Sequence, residues 1–450
     1  MTTRRTFIKQ TAWAGAGILL TGSVLAQRTT SRKVSVVCIG AGFSGLSAAY
    51  KLKQKGYHVT LLESRNRIGG RVFSHSVTNN LIVELGGEWV GNSHTRIHEL
   101  CDLFGLTLNN NQLDTHLIYK GHYFPAGKWN YSEKWTAKFK QIIQNYATLT
   151  EADKLALDQY DWWRYLVNNG CEGRDLDIRE LMDSTDFGES IRHVSAFAAL
   201  SEYAESSEKN EMDLKIKGGN KMLAEKLADA IGRENILLQH TVTRVEQKEN
   251  VMLQCSNGKQ FTADKIICTL PTYAIGKIEW LPQLPVEKLN AINELQYARI
   301  NKHIVVFGKR FWKEESFDMI TDETSHYFYH ATKTQPGPQG ALISYTIGDK
   351  AAVIANRSDE ANARDIINTF NPHFGNIAPL IEKQANYYWG NDTISRGAYA
   401  LYRPNQWFRI RPALAKPFLH THFAGEHIAD WQGFMEGAIN TGEDAAAQII

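Results

Sequence analysis

The sequence predicts an α/β chain, α+β overall, in which two domains are interleaved along its length. Three observations carry this. Residues 34–63 run strand, glycine turn, helix, strand, the opening of a βαβ unit. Residues 133–204 change to helical spacing with many aromatics, among them Trp135, Trp162, Trp163 and Tyr165. Strand spacing returns at 234–270 and again near the C-terminus, so the first and last segments are expected to share one domain.

Val34-Ser-Val-Val-Cys-Ile39 is a short apolar run and reads as a buried strand. The helix after it runs to Lys55 with Gly56 as its stop, and Tyr57–Glu63 supplies the second strand. Thr150-Glu-Ala-Asp153 has the capping-box pattern of a helix start. A helix over 220–231 is expected to be capped by Asn220 and stopped by Gly232. Asn235–Leu238, Val242–Glu246, Val251–Gln254 and Lys265–Leu270 read as strands. Residues 300–390 mix strands with a helix near 358–370, and Pro336-Gly-Pro338 is a surface loop. Pro417–Ala424 is the last strand, and a terminal helix begins at about Gly433. One domain therefore takes residues 32–108, 218–292 and 391–450, the other 109–217 and 293–390, after a leader over 1–26.

Composition narrows the function. With 450 residues, 43% apolar and 22% charged, the chain can bury a sizeable core and is neither disordered nor collagen-like. Fifty basic against 48 acidic residues leave no polybasic field for nucleic acid. Five cysteines (38, 101, 171, 255 and 268) form no CxxC pair. Cys38 and Cys268 sit in apolar strand runs, so core positions are expected rather than a zinc site or disulfide framework.

The leader has a recognisable form. Thr3-Arg4-Arg5-Thr6-Phe7-Ile8-Lys9 precedes an apolar stretch from Ala12 to Ala26 that ends Val24-Leu25-Ala26. A positive start, a short apolar run and a small-residue exit make a secretory signal, shorter than the ~20 residues of a membrane helix. The paired arginines resemble a twin-arginine signal, which exports folded proteins. The expected destination is the periplasm or outside, reached through the twin-arginine translocase, with no stable membrane insertion after cleavage.

Gly40-Ala-Gly42-Phe43-Ser44-Gly45 follows a strand and opens a helix, the setting in which GxGxxG binds a dinucleotide. Gly40 permits the tight turn, Gly42 lets the backbone approach a pyrophosphate, and Gly45 lets helix and strand pack closely. The helix N-terminus offers N–H groups and positive dipole to the phosphates. Glu63 ends the second strand, placed for a ribose hydroxyl, which suits NAD or FAD and not NADP. The domain is thus Rossmann-type. Glu63-Ser64-Arg65 leads to Gly70-Arg71, where a guanidinium can neutralise a pyrophosphate. Glu84-Leu-Gly-Gly87-Glu88-Trp89-Val-Gly91 offers glycines suited to backbone packed on a flat ring.

With these motifs the chain resembles the flavin-containing amine oxidases, the family of monoamine, polyamine and L-amino-acid oxidases, over nearly all of 32–450. The resemblance implies FAD, an amine as substrate, and oxygen or another electron acceptor. It places the Val242 backbone at the adenine and Lys302, ten residues before Trp312, where the family's lysine holds a water against flavin N5. Trp389 is similar to the tryptophan beside the isoalloxazine. Tyr399 and Phe434 fall on the two walls of the family's aromatic cage. Ala398 stands where the mammalian monoamine oxidases have the flavin-linking cysteine, so non-covalent FAD is expected. Gly425-Glu426, then Gly433-Phe434-Met435 and Ala438, match the family's C-terminal flavin segment, with Glu426 near the ribityl–phosphate part. The helix beginning there would point its positive end at the flavin N1–C2=O edge.

The implied reaction is oxidation of an amine C–N bond to an imine, with hydrogen peroxide as co-product when oxygen is the acceptor. An L-amino-acid oxidase of the same fold needs a cation for the substrate carboxylate, for which Arg396 and Arg403 are candidates. Arg96 is expected to be structural, and no arginine directly follows Gly86-Gly87. An amine dehydrogenase and a non-catalytic flavin subunit are the further alternatives. The acids Glu202, Glu205 and Glu208 either attract a cationic amine or solvate a helix face, and the solvated face is the expectation. His75, His94 and His427 read as structural or surface histidines, and no metal site is expected.

Overall fold

A computed structural model describes residues 33–205, 212–430 and 432–450. The leader expected over 1–26 lies outside the described residues, and so does Glu208. Among the described residues no helix is long and apolar enough to cross a membrane.

A five-stranded parallel sheet forms one layer, in the order Thr421–Phe423, Lys265–Cys268, Ser35–Ile39, His58–Leu62, Ile236–Leu237. Ser35–Ile39 is central, and its apolar residues are buried on both faces, as parallel strands between helical layers require. The helix Phe43–Gln54 covers this sheet beside Lys221–Ile231 and the terminal helix Met435–Ala447. Here the first and last helices of the described residues meet. Ser47 Oγ donates to the Ile439 carbonyl at 3.0 Å, and a Cβ on Gly442 would come 2.1 Å from the Ser44 carbonyl oxygen. Leu46 and Leu52 are fully buried in this layer, each stabilising it by about 1.5–3 kcal/mol.

A second sheet has seven strands, in the order Ile381–Tyr388, Ile300–Phe307, Gly340–Ile347, Tyr327–His330, Phe317–Thr321, Asp114–Tyr119, His122–Phe124. Every residue of Ile300–Phe307 is buried, including Asn301, Lys302 and His303, so its polar side chains must find partners inside the protein. Five α-helices between Glu133 and Glu205 pack a further core around Trp135 and Trp162.

Most elements stand where the sequence puts them, and Thr150–Asp153 forms the reciprocal capping box. Asn220 departs from expectation. It precedes the helix Lys221–Ile231 but makes no side-chain cap; its amide donates to the Gly87 and Glu88 carbonyls at 3.0 and 2.6 Å. All five cysteines are buried and unpaired.

Candidate active site

The C-terminal ends of the parallel strands and one face of the seven-stranded sheet enclose a cavity of about 580 Å³. Ligands of open α/β sheets bind at that end of the strands. Gly40, Glu63, Thr269 and Gly425, each just beyond one of those strands, all line the cavity.

The glycine turn is shaped by close approach. A Cβ on Gly45 would lie 2.0 Å from the Gly40 carbonyl oxygen, so only glycine lets the helix start this near the strand. Gly42, Phe43 and Ser44 line the cavity, and Gly70 packs directly against Gly42, its Cβ position 3.1 Å from the Gly42 Cα. Glu63 accepts from the Ala41 and Arg65 amides, both at 2.8 Å, and from Ser64 Oγ, which fixes the carboxylate at the strand end. Ser44 Oγ is buried with no hydrogen-bond partner among the described residues. A buried hydroxyl left open at a helix N-terminus, in a cradle of glycines, fits the pyrophosphate of FAD. Val242 is buried in the strand Val242–Gln247 and is not among the residues that line the cavity.

Two ion pairs brace this half. Arg71 bonds Glu426 at 2.6 Å and lies over the Tyr297 ring, while Arg65 bonds Asp392 at 2.6 Å. All but Asp392 and Tyr297 line the cavity. Burial raises the Glu426 carboxyl, but Arg71 and His427 outweigh it and hold it below its ordinary value. Glu426 also accepts from the Gly433 amide at 2.9 Å, which anchors the turn before the terminal helix. Arg71, expected to meet the pyrophosphate bidentately, therefore shares its charge with a protein carboxylate.

Lys302 is the centre of the buried charge. Its Nζ donates to the Glu84 carbonyl at 3.0 Å, the Gly86 carbonyl at 2.9 Å and Glu88 Oε2 at 3.0 Å. Those three acceptors use all three ammonium protons. Glu88 in turn accepts from Lys215 at 2.9 Å and from the Tyr329 hydroxyl at 2.6 Å. Burial lowers the Lys302 ammonium and Glu88 restores part of it; burial raises Glu88, and Lys215, Lys302 and Tyr329 bring it below its ordinary value. Glu88 lines the cavity as expected, yet its carboxylate serves the two lysines. Lys215 and Tyr329 escaped the sequence reading because each lies more than 100 residues from Glu88, with no local pattern to link them. Gly87 and Trp89 line the same wall, and Trp389, also lining, donates its indole N–H to the Leu85 carbonyl at 2.7 Å.

The other end of the cavity carries the rings. Tyr399 and Phe434 line it with Ala398 beside them, while Met435 and Ala438 line the cavity from the terminal helix, Met435 against Gly87. A Cβ on Gly433 would come 2.8 Å from the Tyr399 ring, so glycine keeps the space between Tyr399 and the start of the helix open. The Tyr399 hydroxyl donates to the Asp186 carbonyl. Here the reading of Glu202 as part of a solvated face is corrected: the helix Ala196–Glu205 turns Glu202 into the cavity wall, next to Asp186 and Tyr203. Glu205, one turn on, is exposed and accepts from Tyr146. Asp318 also lines the cavity and was not singled out in the sequence. Arg396 and Arg403 lie in a different pocket, with Glu189 and Arg299. Arg96 is structural, paired with Glu443 at 2.8 Å and Glu99 at 2.6 Å, and His94 and His427 are buried. No group of three potential metal ligands occurs among the described residues.

This geometry agrees with what the chain is similar to. The family model for flavin containing amine oxidoreductase matches residues 43–450. Human amine oxidase [flavin-containing] B is 26% identical over 460 residues, covering 93% of this chain and 86% of the human protein. A probable flavin-containing monoamine oxidase A of Dictyostelium discoideum is 24% identical, covering 92% and 97%. Among solved structures, cyclohexylamine oxidase from Brevibacterium oxydans IH-35A matches with a TM-score of 0.82 at 22% identity, covering 93% of this chain and 98% of that one. Wild-type putrescine oxidase bound to putrescine matches with a TM-score of 0.83 at 22% identity, covering 93% and 99%. The chain belongs to the flavin-containing amine oxidoreductase family and is an FAD-dependent oxidoreductase acting on amines.

Proposed function

We propose that the protein is an exported amine oxidase that holds FAD non-covalently and converts an amine to its imine, with oxygen as electron acceptor. The observation that carries this reading is the meeting of the glycine cradle, Lys302, Tyr399 and Phe434 in one cavity. Bound there, FAD supplies the acceptor for the hydride that leaves the carbon beside the amine nitrogen. Gly42, Ser44, Glu63 and Gly70 would hold its dinucleotide part, with Trp389, Gly87 and the start of the terminal helix lining the cavity beyond. Lys302 keeps a fixed positive charge at Nζ, since its protons are all committed to Glu84, Gly86 and Glu88. Tyr399 and Phe434 orient the amine and strip it of water, which favours the neutral form from which hydride departs.

An amino-acid substrate finds less support. The only arginines among the described cavity residues, Arg65 and Arg71, belong to the cofactor half, and the ring end carries Asp186 and Glu202. No arginine among the described cavity residues stands there to pair with a substrate carboxylate.

Three measurements test the reading. Turnover of an amine panel with stoichiometric hydrogen peroxide supports it, whereas turnover only with a quinone or cytochrome acceptor makes the enzyme a dehydrogenase. Denaturation should release the flavin; flavin that stays with the polypeptide contradicts non-covalent binding at Ala398. Replacing Arg4 and Arg5 by lysine should strand the protein in the cytoplasm, and undisturbed export would remove the twin-arginine route.

A further inference from the structure

A second pocket, of about 590 Å³, adjoins the active cavity. Ser395 lines both, and Tyr297 on the pocket wall lies under the Arg71 guanidinium that lines the cavity. The pocket is basic: Lys277, Arg299, Arg396 and Arg403 line it, with His193. Glu189 is the one carboxylate among its described lining residues, and it bonds Arg299 at 2.9 Å. Arg299 is paired a second time, with Asp349 at 2.5 Å. Lys277, Arg396 and Arg403 make no ion pair with any described residue.

The backbone holds one of these charges in place against its own preference. Arg396 has a φ of +55°, in the left-handed region that favours glycine. Asp392 fixes the turn that carries it. Its carboxylate accepts from the Ile394 and Ser395 amides at 3.1 and 2.7 Å and from Ser395 Oγ at 2.7 Å, and its carbonyl accepts from the Arg396 amide at 3.0 Å. The Arg396 guanidinium then lies over the Tyr273 ring, 5.3 Å from its centre, and the Lys277 ammonium over the same ring at 5.1 Å. Two cations gathered on one ring repel each other, and neither has a carboxylate partner to offset the repulsion. Cations around a concave wall concentrate positive potential, and guanidinium forks match the geometry of phosphate and carboxylate. Ile292, Leu295 and Leu401 give the same wall an apolar part.

We propose that this pocket binds a small organic anion, one that carries a phosphate or a pair of carboxylates on an apolar body. Arg396 and Arg403 take the charged group together with Lys277, and the body lies against Tyr273 and the aliphatic wall. The site goes beyond the amine-oxidase reading and does not depend on it.

The test titrates the FAD-loaded protein with phenyl phosphate, phthalate and inorganic phosphate, by calorimetry in low-salt buffer. The expected result is saturable binding of phenyl phosphate or phthalate at least about tenfold tighter than that of inorganic phosphate, the scale of burying part of one ring, and weakened by added sodium chloride. Phenyl phosphate ahead of phthalate identifies a phosphate ligand, and the reverse order a dicarboxylate. Arg396→Gly removes the guanidinium and suits the positive φ, so its ligand-free melting temperature should equal or exceed that of the wild type while affinity falls about tenfold. Arg403→Gln changes an exposed side chain and lowers affinity by a similar factor. A lower melting temperature in Arg396→Gly would make that guanidinium structural, and Arg403→Gln then decides alone. Absence of saturable binding, equal binding of all three anions, or an affinity that neither variant changes overturns the proposal.

Discussion

Lys302 Nζ and Glu88 Oε2 are 3.0 Å apart and almost wholly buried, joined across 214 residues of sequence. Neither charge is tolerable alone in that place. Glu88 is shared with Lys215, and the buried Glu84 carboxyl lies close enough to act on both ammonium groups.

That sharing makes the two substitutions unequal. Glu88→Gln removes the carboxylate that both lysines bond directly, leaving them only the more distant Glu84, and loss of one partner from a buried pair costs about 3–5 kcal/mol. Lys302→Met leaves Glu88 paired with Lys215 and should destabilise less. It should slow amine-driven flavin reduction by about 10²–10³-fold, the usual effect of removing one preorganised electrostatic group. Thermal melts and anaerobic stopped-flow on both variants check this; equal melting temperatures would contradict the shared-charge account.

Gly45→Ala should abolish flavin binding. The new methyl would sit 2.0 Å from the Gly40 carbonyl oxygen, so helix and turn must part, and the pyrophosphate cradle with them. The ratio of flavin to protein absorbance in the purified variant reads this directly. A fully loaded Gly45→Ala protein would show that the turn yields more than its packing implies.

Asp318 makes stability depend on pH with a defined sign. Its folded pKa, pushed up to about 7 by burial, lies above the ordinary carboxyl value, so its contribution is complete in acid and is lost as pH rises through about 7. For any such group, folding that raises the pKa by one costs the charged form about 1.4 kcal/mol. Asp318→Asn has no charge to bury and escapes this loss. Melting temperatures of the ligand-free proteins at about pH 5 and pH 8 should therefore change in the variant's favour on going to the higher pH. A difference that does not change with pH contradicts a buried, uncompensated Asp318.

Local signals made much of this site legible. The strand, glycine turn and helix over 34–54 sit in one continuous stretch, and Lys302 stands out as a charge opening an apolar strand. What escaped notice depends on which strands become neighbours. Glu88 meets Lys215 and Tyr329 only when three distant segments converge, and Asn220 looks like a helix cap until the Gly87–Glu88 backbone is laid against it. Glu202 has the helical spacing of a solvated face; that spacing does not reveal that the face borders a cavity. Asp318 alternates correctly on its strand, but a strand pattern cannot say that its face lines the site.

The most direct test of the central claim is the visible spectrum of the purified protein mixed without oxygen with amines and, separately, with L-amino acids. The account predicts an oxidised flavin band that amines bleach and amino acids leave unchanged. Bleaching by amino acids alone, or a colourless protein that cannot be reconstituted with FAD, would contradict it.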